Sequence, residues 1–194
     1  MSVFFGKKTD YRGAHNIETN KIECPWCDSI ISPNFGYTVG DGLGYLRGEI
    51  YVCPNCNEII LYDSLTGRTY PNSKFGKKVN KLPQDIEALY DECRRCYSVE
   101  AYSAVSMLSR KLLMHIAVSM GAEPNKSFKY YVDYLDENNY IPPRSRHILE
   151  FIRNQGNELN HQIIVRKKEE AEKLINFLSM ILIFLYEYAD EEAE

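Results

Sequence analysis

The sequence predicts an α+β chain in which a small β part precedes an all-α helical bundle. Two short cysteine motifs lie among segments typical of β-strands in the first third of the chain. From Pro83 onward, apolar side chains recur at helical spacing. A basic segment joins the two patterns, so we expect a β part at residues 1–68, a linker at 69–82 and a helical bundle at 83–190.

Length and composition limit the classes of protein to which the chain can belong. It has 194 residues, a formal charge of −4 and 44% hydrophobic residues, which excludes disordered and collagen-like chains. Because the net charge is negative, any binding of nucleic acid must use a local basic patch. The longest apolar stretch, 177–186, is too short to span a bilayer, and the N-terminus shows no signal-peptide pattern. We therefore expect a cytoplasmic protein with no membrane partner.

Six cysteines form three CxxC pairs, and the first two pairs carry the strongest chemical signal. Disulfides are rare in reducing compartments, whereas two CxxC turns can direct four thiolates at one tetrahedral zinc ion. We expect one structural zinc ion per chain, bound by Cys24, Cys27, Cys53 and Cys56. Four protein ligands leave no position for water or substrate, so such a site is structural and not catalytic. A small core of four cysteines without metal is the alternative.

Segments of β type surround these motifs and predict a zinc ribbon. A strand-forming stretch before Gly40, a strand at 48–52 and another at 58–63 are separated by turn residues, and Thr66-Gly67 ends the last one. The glycines at 40, 42 and 44 superficially resemble a phosphate-binding loop. No helix and no GK[ST] motif follows them, so we interpret this segment as the tip of a hairpin.

The third cysteine pair, Cys93 and Cys96, lies inside a helical pattern. We interpret it as part of a buried helix face. A redox pair, or half of a metal site with no partner half in the sequence, is the alternative.

A basic patch extends through the linker. No acidic residue lies between Asp63 and Asp85, and Tyr70 and Phe75 lie among the basic side chains. Basic side chains neutralise phosphates, and aromatic rings stack on unpaired bases. The candidate nucleic-acid-binding residues are Arg68, Lys74, Lys77, Lys78 and Lys81. A solvated, mobile linker between domains would have the same composition, so that interpretation stays open.

Five helices are predicted in the second part. Their approximate ranges are 83–98, 99–120, 128–137, a fourth from 143, and 168–188, with Ser127 as N-cap of the third. The middle of the fifth helix is apolar on nearly all sides, which in a soluble protein means burial on more than one side. A helix at the centre of a small bundle could be buried in this way within one chain, but a bundle of this size has few helices to surround it. We therefore expect a homodimer.

A polar stripe marks the fourth helix. Arg153, Asn157 and His161 recur every four residues, so they share one side of a continuous helix, and Asn154 lies beside them. Gly156 costs a helix about 1 kcal/mol relative to alanine, and such breaks of local preference are typical of functional sites. The alternatives are the solvated face of an amphipathic helix, or a kink or C-cap at Gly156.

Residues from about 82 to 188 resemble the bacterial DUF4145 family. The resemblance rests on an AxxxLxRKLL helix at 104–113, a glycine-containing turn before the third helix, and the segment IRNQGNELNH at 152–161. That family is similar to the HEPN superfamily, whose helical bundles commonly dimerise and act as RNA-cleaving toxins, phage-defence effectors or non-catalytic partner modules. The resemblance implies a HEPN-like bundle with Arg153 and His161 as candidate catalytic residues and Asn154 as the polar residue after the arginine. Asn157, on the same side of the helix, is the fourth candidate.

The roles of these residues follow from the resemblance and from their chemistry. His161 would move a proton at the ribose 2′-OH or at the leaving oxygen, and Arg153 would stabilise charge on the phosphate. Asn154 and Asn157 would position the phosphate or the imidazole. Seven residues separate Arg153 from His161, which places them ~12 Å apart along an unbroken helix. A distortion near Gly156, or the opposing helix of a dimer, would have to bring the two groups together.

Three functions fit these features. The first is a dimeric, metal-independent ribonuclease, a defence or toxin-type effector that its zinc ribbon directs to RNA or to a protein. The second is a catalytically inactive binding or scaffold module for nucleic acid, a protein partner or a small ligand. The third is a nucleic-acid-binding accessory protein in which the ribbon binds and the bundle only dimerises.

Overall fold

The computed structural model describes residues 11–158 and 165–188, without the side chains of Arg144 and of residues 155–158. The chain forms two compact units, Met1–Lys74 and Phe75–Glu194. The first is an antiparallel β structure and the second contains five α-helices, so the predicted α+β fold class is confirmed. Within the described ranges, no helix is long and apolar enough to cross a membrane.

Two antiparallel sheets form the first unit. The larger sheet has the strand order β1-β4-β5-β6-β7, and the smaller one pairs β2 with β3. In chain order the strands are β1 His15–Asn16, β2 Ile22–Glu23, β3 Ile30–Ile31, β4 Phe35–Gly40, β5 Leu46–Val52, β6 Ile59–Asp63 and β7 Arg68–Tyr70. One face of the larger sheet buries Tyr51 and Ile60 together with Ile31 and two of the cysteines.

The predicted hairpin tip joins β4 to β5. The Asp41 carboxylate accepts hydrogen bonds from the backbone N–H groups of Leu43 and Tyr45, at 2.9 and 3.0 Å, and also binds the Arg47 guanidinium. Gly44 has a φ of +87°, a conformation that suits glycine. The loop therefore closes on its own side chains as a turn.

The strand β7 is absent from the sequence prediction. Thr66-Gly67 ends β6 as expected, because Asp63 accepts hydrogen bonds from the backbone N–H of Leu65 and from Thr66. The chain then returns as β7, which pairs with β6 in the register Leu61↔Tyr70 and Asp63↔Arg68. A strand of three residues is too short to show the alternation on which strand prediction depends.

The helices of the second unit are α1 Gln84–Ser98, α2 Tyr102–Ser119, α3 Phe128–Glu137, α4 Leu149–Glu158 and α5 Lys168–Leu182. The bounds of α3 are those predicted, and the Ser127 side chain accepts a hydrogen bond from the Tyr130 N–H as its N-cap. Three other ends differ. A left-handed residue, Glu100, delays α2 to Tyr102, a 3₁₀ turn at Pro143–Ile148 precedes α4, and a π-helical turn at Ile183–Glu187 follows α5.

The centre of the bundle is α2, which packs against each of the other four helices. The prediction of a homodimer rests on the apolar surface of α5. That surface is buried within the single chain, on the residues Ala171, Leu174, Ile175, Phe177, Leu178, Ser179, Ile181 and Leu182. Because the bundle covers these residues, the apolarity of α5 needs no partner chain, and dimerisation stays a prediction.

Candidate functional site

The four predicted metal ligands come together in the first unit. The Sγ atoms of Cys24, Cys27, Cys53 and Cys56 lie within 4.8 Å of one another. Cys24 Sγ lies 3.8 Å from Cys56 Sγ, and Cys27 Sγ lies 3.9 Å from Cys53 Sγ. Four thiolates at 2.3 Å around a tetrahedral zinc ion are about 3.8 Å apart. The cluster is therefore positioned to hold a metal ion.

The two CxxC turns have the same backbone hydrogen bonds. The Cys24 N–H donates to the Ser29 carbonyl and the Asp28 N–H donates back to Cys24, at 2.9 and 3.0 Å. The second turn repeats this pattern between Cys53, Glu58 and Asn57. Asp28 and Asn57 occupy matching positions with φ of +62° and +61°, a conformation that Asp and Asn tolerate better than most residues. Each turn thereby directs its two thiols to one point.

Hydrogen bonds from neighbouring side chains support the cluster. The Asn55 amide, on the second turn, donates to Cys27 Sγ and to the Ser29 hydroxyl on the first, at 3.3 and 2.9 Å. Burial raises the pKa of the Cys27 thiol, but hydrogen bonds from Asn55 and Ser29 outweigh burial and lower it to about 6. Burial raises the pKa of Cys24 and of Cys56, the latter to about 12. Metal binding must displace those protons.

Lys74 contradicts its predicted role in nucleic-acid binding. Its side chain is only 4% exposed, and its ammonium lies 3.1 Å from the Asp28 carboxylate and 3.2 Å from the Trp26 carbonyl. Both partners belong to the first CxxC turn, between or beside its cysteines. A buried lysine held in this way cannot reach a phosphate. Its positive charge instead binds the first CxxC turn, through the Asp28 carboxylate and the Trp26 carbonyl.

The other four predicted nucleic-acid-binding residues are divided between the two units. Arg68 lies on β7, while Lys77, Lys78 and Lys81 belong to the second unit and are exposed. The segment that carries these lysines is attached to the helices. The Arg94 guanidinium donates to the carbonyls of Phe75 and Gly76, at 3.0 and 2.8 Å, and the Tyr90 hydroxyl donates to that of Lys77 at 2.8 Å.

The cysteine pair on α1 is part of a buried helix face, as predicted. Cys93 is fully buried in the core of the bundle, with its Sγ 3.5 Å from the Ser109 hydroxyl. Cys96 is half-buried. Among the residues that the structure describes, the only cluster of metal-ligand type is the one formed by the first two pairs.

Two of the predicted catalytic residues lie within the described part of α4. Arg153 is engaged by acidic residues of α3, because its Nε lies 2.6 Å from Asp133 Oδ1 and a terminal nitrogen lies 3.6 Å from Asp136 Oδ2. Asp136 also pairs with Arg146 at 2.6 Å. Asn154 is exposed. The side chain of Asn157 and all of His161 lie outside the described residues, so the proximity of Arg153 and His161 is untested.

The open face of the larger sheet is a feature that sequence reasoning missed. The strand registers place Tyr37, Ile50, Leu61 and Tyr70 in one row across four strands. Phe35 lies on the same face, two residues before Tyr37. Phe35, Leu61 and Tyr70 are 40%, 42% and 48% exposed. We call these five residues the open sheet face. The period-2 pattern of each strand carries part of this signal, but only the register aligns the row.

The described part of the first unit is acidic. Residues 11–74 contain five basic and seven acidic side chains, and four thiolates around a divalent ion add two negative charges. Lys74 is buried and pairs with Asp28, Arg47 pairs with Asp41, and the acidic residues Glu49 and Glu58 are buried. Over the whole unit Met1–Lys74 the sequence has seven basic and eight acidic side chains, so most of the negative charge of the unit would come from the metal site.

The comparisons with known proteins identify the helical part of the chain. The family model described as "Domain of unknown function (DUF4145)" matches residues 91–194, which is more than half of the sequence. No curated protein and no solved structure matches the chain.

Proposed function

The chain belongs to the DUF4145 family, and from this premise we propose that it is a zinc-stabilised, catalytically inactive module that binds a protein partner. The open sheet face carries this proposal. Three of its residues, Phe35, Leu61 and Tyr70, are 40–48% exposed, and Tyr37 and Ile50 between them are partly buried. Exposed apolar and aromatic side chains on one face are typical of protein-binding surfaces.

Zinc is the metal that suits the four-cysteine cluster. Four thiolates at tetrahedral spacing are the ligand set of structural zinc sites, and they leave no coordination position for a reaction. The metal would supply folding free energy to a unit whose own apolar core is small. The role of the first unit is then recognition.

The charge of the first unit favours a protein over a nucleic acid as its partner. Glu49 and Glu58 are buried, and Asp28 and Asp41 pair with Lys74 and Arg47. The main negative charge that a nucleic acid would meet on residues 11–74 is therefore that of the four-thiolate metal site. A protein with an apolar patch and basic residues near it would complement both the open sheet face and the negative charge of the four-thiolate site.

Substitution on the open sheet face tests this proposal. The tagged chain is purified from its source cells, the co-purifying protein is identified and purified, and its affinity is measured by calorimetry. We expect Leu61→Asp to weaken binding at least tenfold, because it places a charge in the apolar row. Leu65→Asp is the matched control, since Leu65 is 68% exposed in the turn after β6 and outside the face.

Zinc content and thermal stability are measured on both variants, so that loss of folding is separated from loss of binding. A partner that binds the Leu61→Asp variant as tightly as the original chain contradicts the proposal. If the original chain instead binds labelled single-stranded RNA with an affinity that Leu61→Asp lowers, that result supports the accessory nucleic-acid function.

The second candidate function is the metal-independent ribonuclease that the HEPN resemblance implies. The observation that favours it is that Asp133 and Asp136 fix the Arg153 guanidinium, and that Asn154, the next residue of the motif, is exposed. The same ion pairs neutralise the charge that a phosphate would need, which is why we rank this function second.

Cleavage of end-labelled RNA tests the second candidate. The reaction is run in EDTA, with zinc retention measured in parallel, on the original chain and on Arg153→Ala and His161→Ala. Arg146→Ala is the matched control, because Arg146 pairs with the same Asp136 but lies outside the motif. The chain is a ribonuclease if the original protein and Arg146→Ala cleave the RNA and if Arg153→Ala and His161→Ala do not. An original chain that does not cleave RNA contradicts it.

A further inference from the structure

A second candidate binding site lies in the helical unit, in a groove of about 410 Å³. The C-terminal part of α5 and the π-helical turn form one wall, with Met180, Ile183 and Phe184. Pro142 and Lys77 also line the groove, from the segments before α4 and before α1. A volume of this size lies within the range of small-molecule pockets, roughly 300–1,000 Å³.

The groove is built on fixed elements. Ser179, at its base, is 4% exposed, and its hydroxyl is bound by the Tyr90 hydroxyl at 2.6 Å and by the Ile175 carbonyl at 2.8 Å. Tyr90 also holds the backbone of Lys77. Lys77 is therefore placed at the groove by a hydrogen-bonded chain that begins in the core. A π-helical turn, which is rare and occurs often at functional sites, forms part of the wall.

The chemistry of the lining defines the ligand. Lys77 is the one charged residue that lines the groove, and within the described part of the chain its ammonium forms no ion pair. Phe184 is 43% exposed, so an apolar surface is open to solvent beside this positive charge. Asn176 adds an amide that can donate or accept a hydrogen bond.

We propose that this groove binds a small amphiphilic carboxylate, with the apolar body on Met180, Ile183 and Phe184 and the carboxylate on the Lys77 ammonium. The apolar lining supplies affinity, and the charge complementarity selects the anion over a neutral or cationic analogue. This site lies within the helical unit and is independent of the protein-binding function proposed for the first unit.

Calorimetry with sodium decanoate, decyltrimethylammonium and decanol tests the proposal on the full chain. The two ions are used below their micelle-forming concentrations and decanol below its solubility limit. We expect decanoate to bind at least tenfold more tightly than decanol and the cation not to bind. Lys77→Met should weaken decanoate binding roughly tenfold, because it removes the charge and keeps the apolar stem. The neighbouring Lys78→Met is the matched control, because Lys78 is exposed but does not line the groove.

Phe184→Glu gives a second, independent test, since it places a like charge beside the ligand and should also weaken decanoate binding at least tenfold. Circular dichroism and light scattering on every variant separate these effects from unfolding and from dimerisation. The proposal is overturned if decanoate does not bind, or if Lys77→Met binds it as tightly as Lys78→Met. A third outcome also overturns it: the original chain is a dimer and does not bind decanoate, and Phe184→Glu dissociates the dimer. A second copy of the chain would then cover the groove.

Discussion

At the scale of single residues, burial decides the chemistry of the charged and nucleophilic side chains. Lys74 belongs by sequence to a basic stretch, but its ion pair with Asp28 makes it a component of the first CxxC turn. Cys93 and Cys96 are three residues apart, yet only Cys93 is fully enclosed. The spacing of a motif does not show such differences, because they depend on residues from distant parts of the chain.

The cysteines of α1 should differ in reactivity. Burial raises the pKa of the Cys93 thiol to about 12, far above pH 8, so the reactive thiolate is scarce there. We expect iodoacetamide at pH 8 to modify Cys96 and leave Cys93 unmodified in the folded protein, as measured by peptide mass spectrometry. Raising the pH toward 12 would increase the thiolate fraction of Cys93, but burial would still restrict access. Labelling in guanidinium, where both thiols are accessible, is the control. Equal labelling of the two in the folded protein would show that the α1 face opens.

At the scale of elements, the segment before α1 is the main structural result. Composition alone suggested a solvated linker, but Arg94 and Tyr90 bind its backbone, and Glu187 accepts hydrogen bonds from the backbone and side chain of Asn80, at 2.6 and 2.9 Å. Val79 is buried. The segment from Phe75 to Asn80 is thereby part of the helical unit, and its lysines are held on a fixed backbone.

Gly76 permits this attachment. Its φ is +86°, and a Cβ atom there would lie 2.3 Å from the Ile175 Cγ2 on α5. We expect Gly76→Ala to lower the free energy of unfolding of the helical unit by about 1–3 kcal/mol, because it adds both a steric overlap and backbone strain. Urea denaturation followed by far-UV circular dichroism measures this loss.

Gly121→Ala is the control for the glycine prediction. Gly121 also has a positive φ, of +101°, but its Cβ would meet only the Tyr134 hydroxyl at 3.1 Å. The loss of stability in Gly121→Ala should therefore come mainly from backbone strain, with a smaller steric contribution than in Gly76→Ala. If Gly76→Ala costs no more than Gly121→Ala, the close approach of the segment to α5 is not what stabilises it.

At the scale of the whole molecule, the chain has two cores of different kinds. The helical unit has a large apolar core, to which all five helices contribute. The core of the first unit includes few fully buried side chains, and Cys24 and Cys53 are two of them. Stability of the first unit should therefore depend on its metal, whereas the helical unit should not.

Metal removal tests this difference. Trp26 is the only tryptophan, lies within the first CxxC turn and donates a hydrogen bond to the Ile59 carbonyl at 2.9 Å. A strong chelator should shift its fluorescence emission to longer wavelength while the helical signal at 222 nm stays within about 10% of its original value. Returning zinc should restore the emission. A chelator that abolishes both signals together would show that the helical unit depends on the metal.

Sequence predictions agree with the structure where an element depends on residues that are close together in the chain. The CxxC turns, the hairpin tip at 41–45 and the Ser127-capped helix α3 are specified by neighbours a few residues apart, and each was predictable. The strand β7, the 3₁₀ turn before α4 and the π-helical turn after α5 were not, because short or irregular elements have too few residues to show a period.

The sequence by itself determined the order of the two parts and the four cysteines that cluster, because repeated cysteine spacing and apolar periodicity are local patterns. The helical family followed from the resemblance of its motifs to DUF4145. Only the tertiary structure decided that Lys74 is buried, that the 75–80 segment is attached to the bundle, and that a row of apolar side chains crosses four strands. It also decided that α5 is covered by its own chain. These features join residues far apart in sequence, and burial and register exist only once such residues pack together.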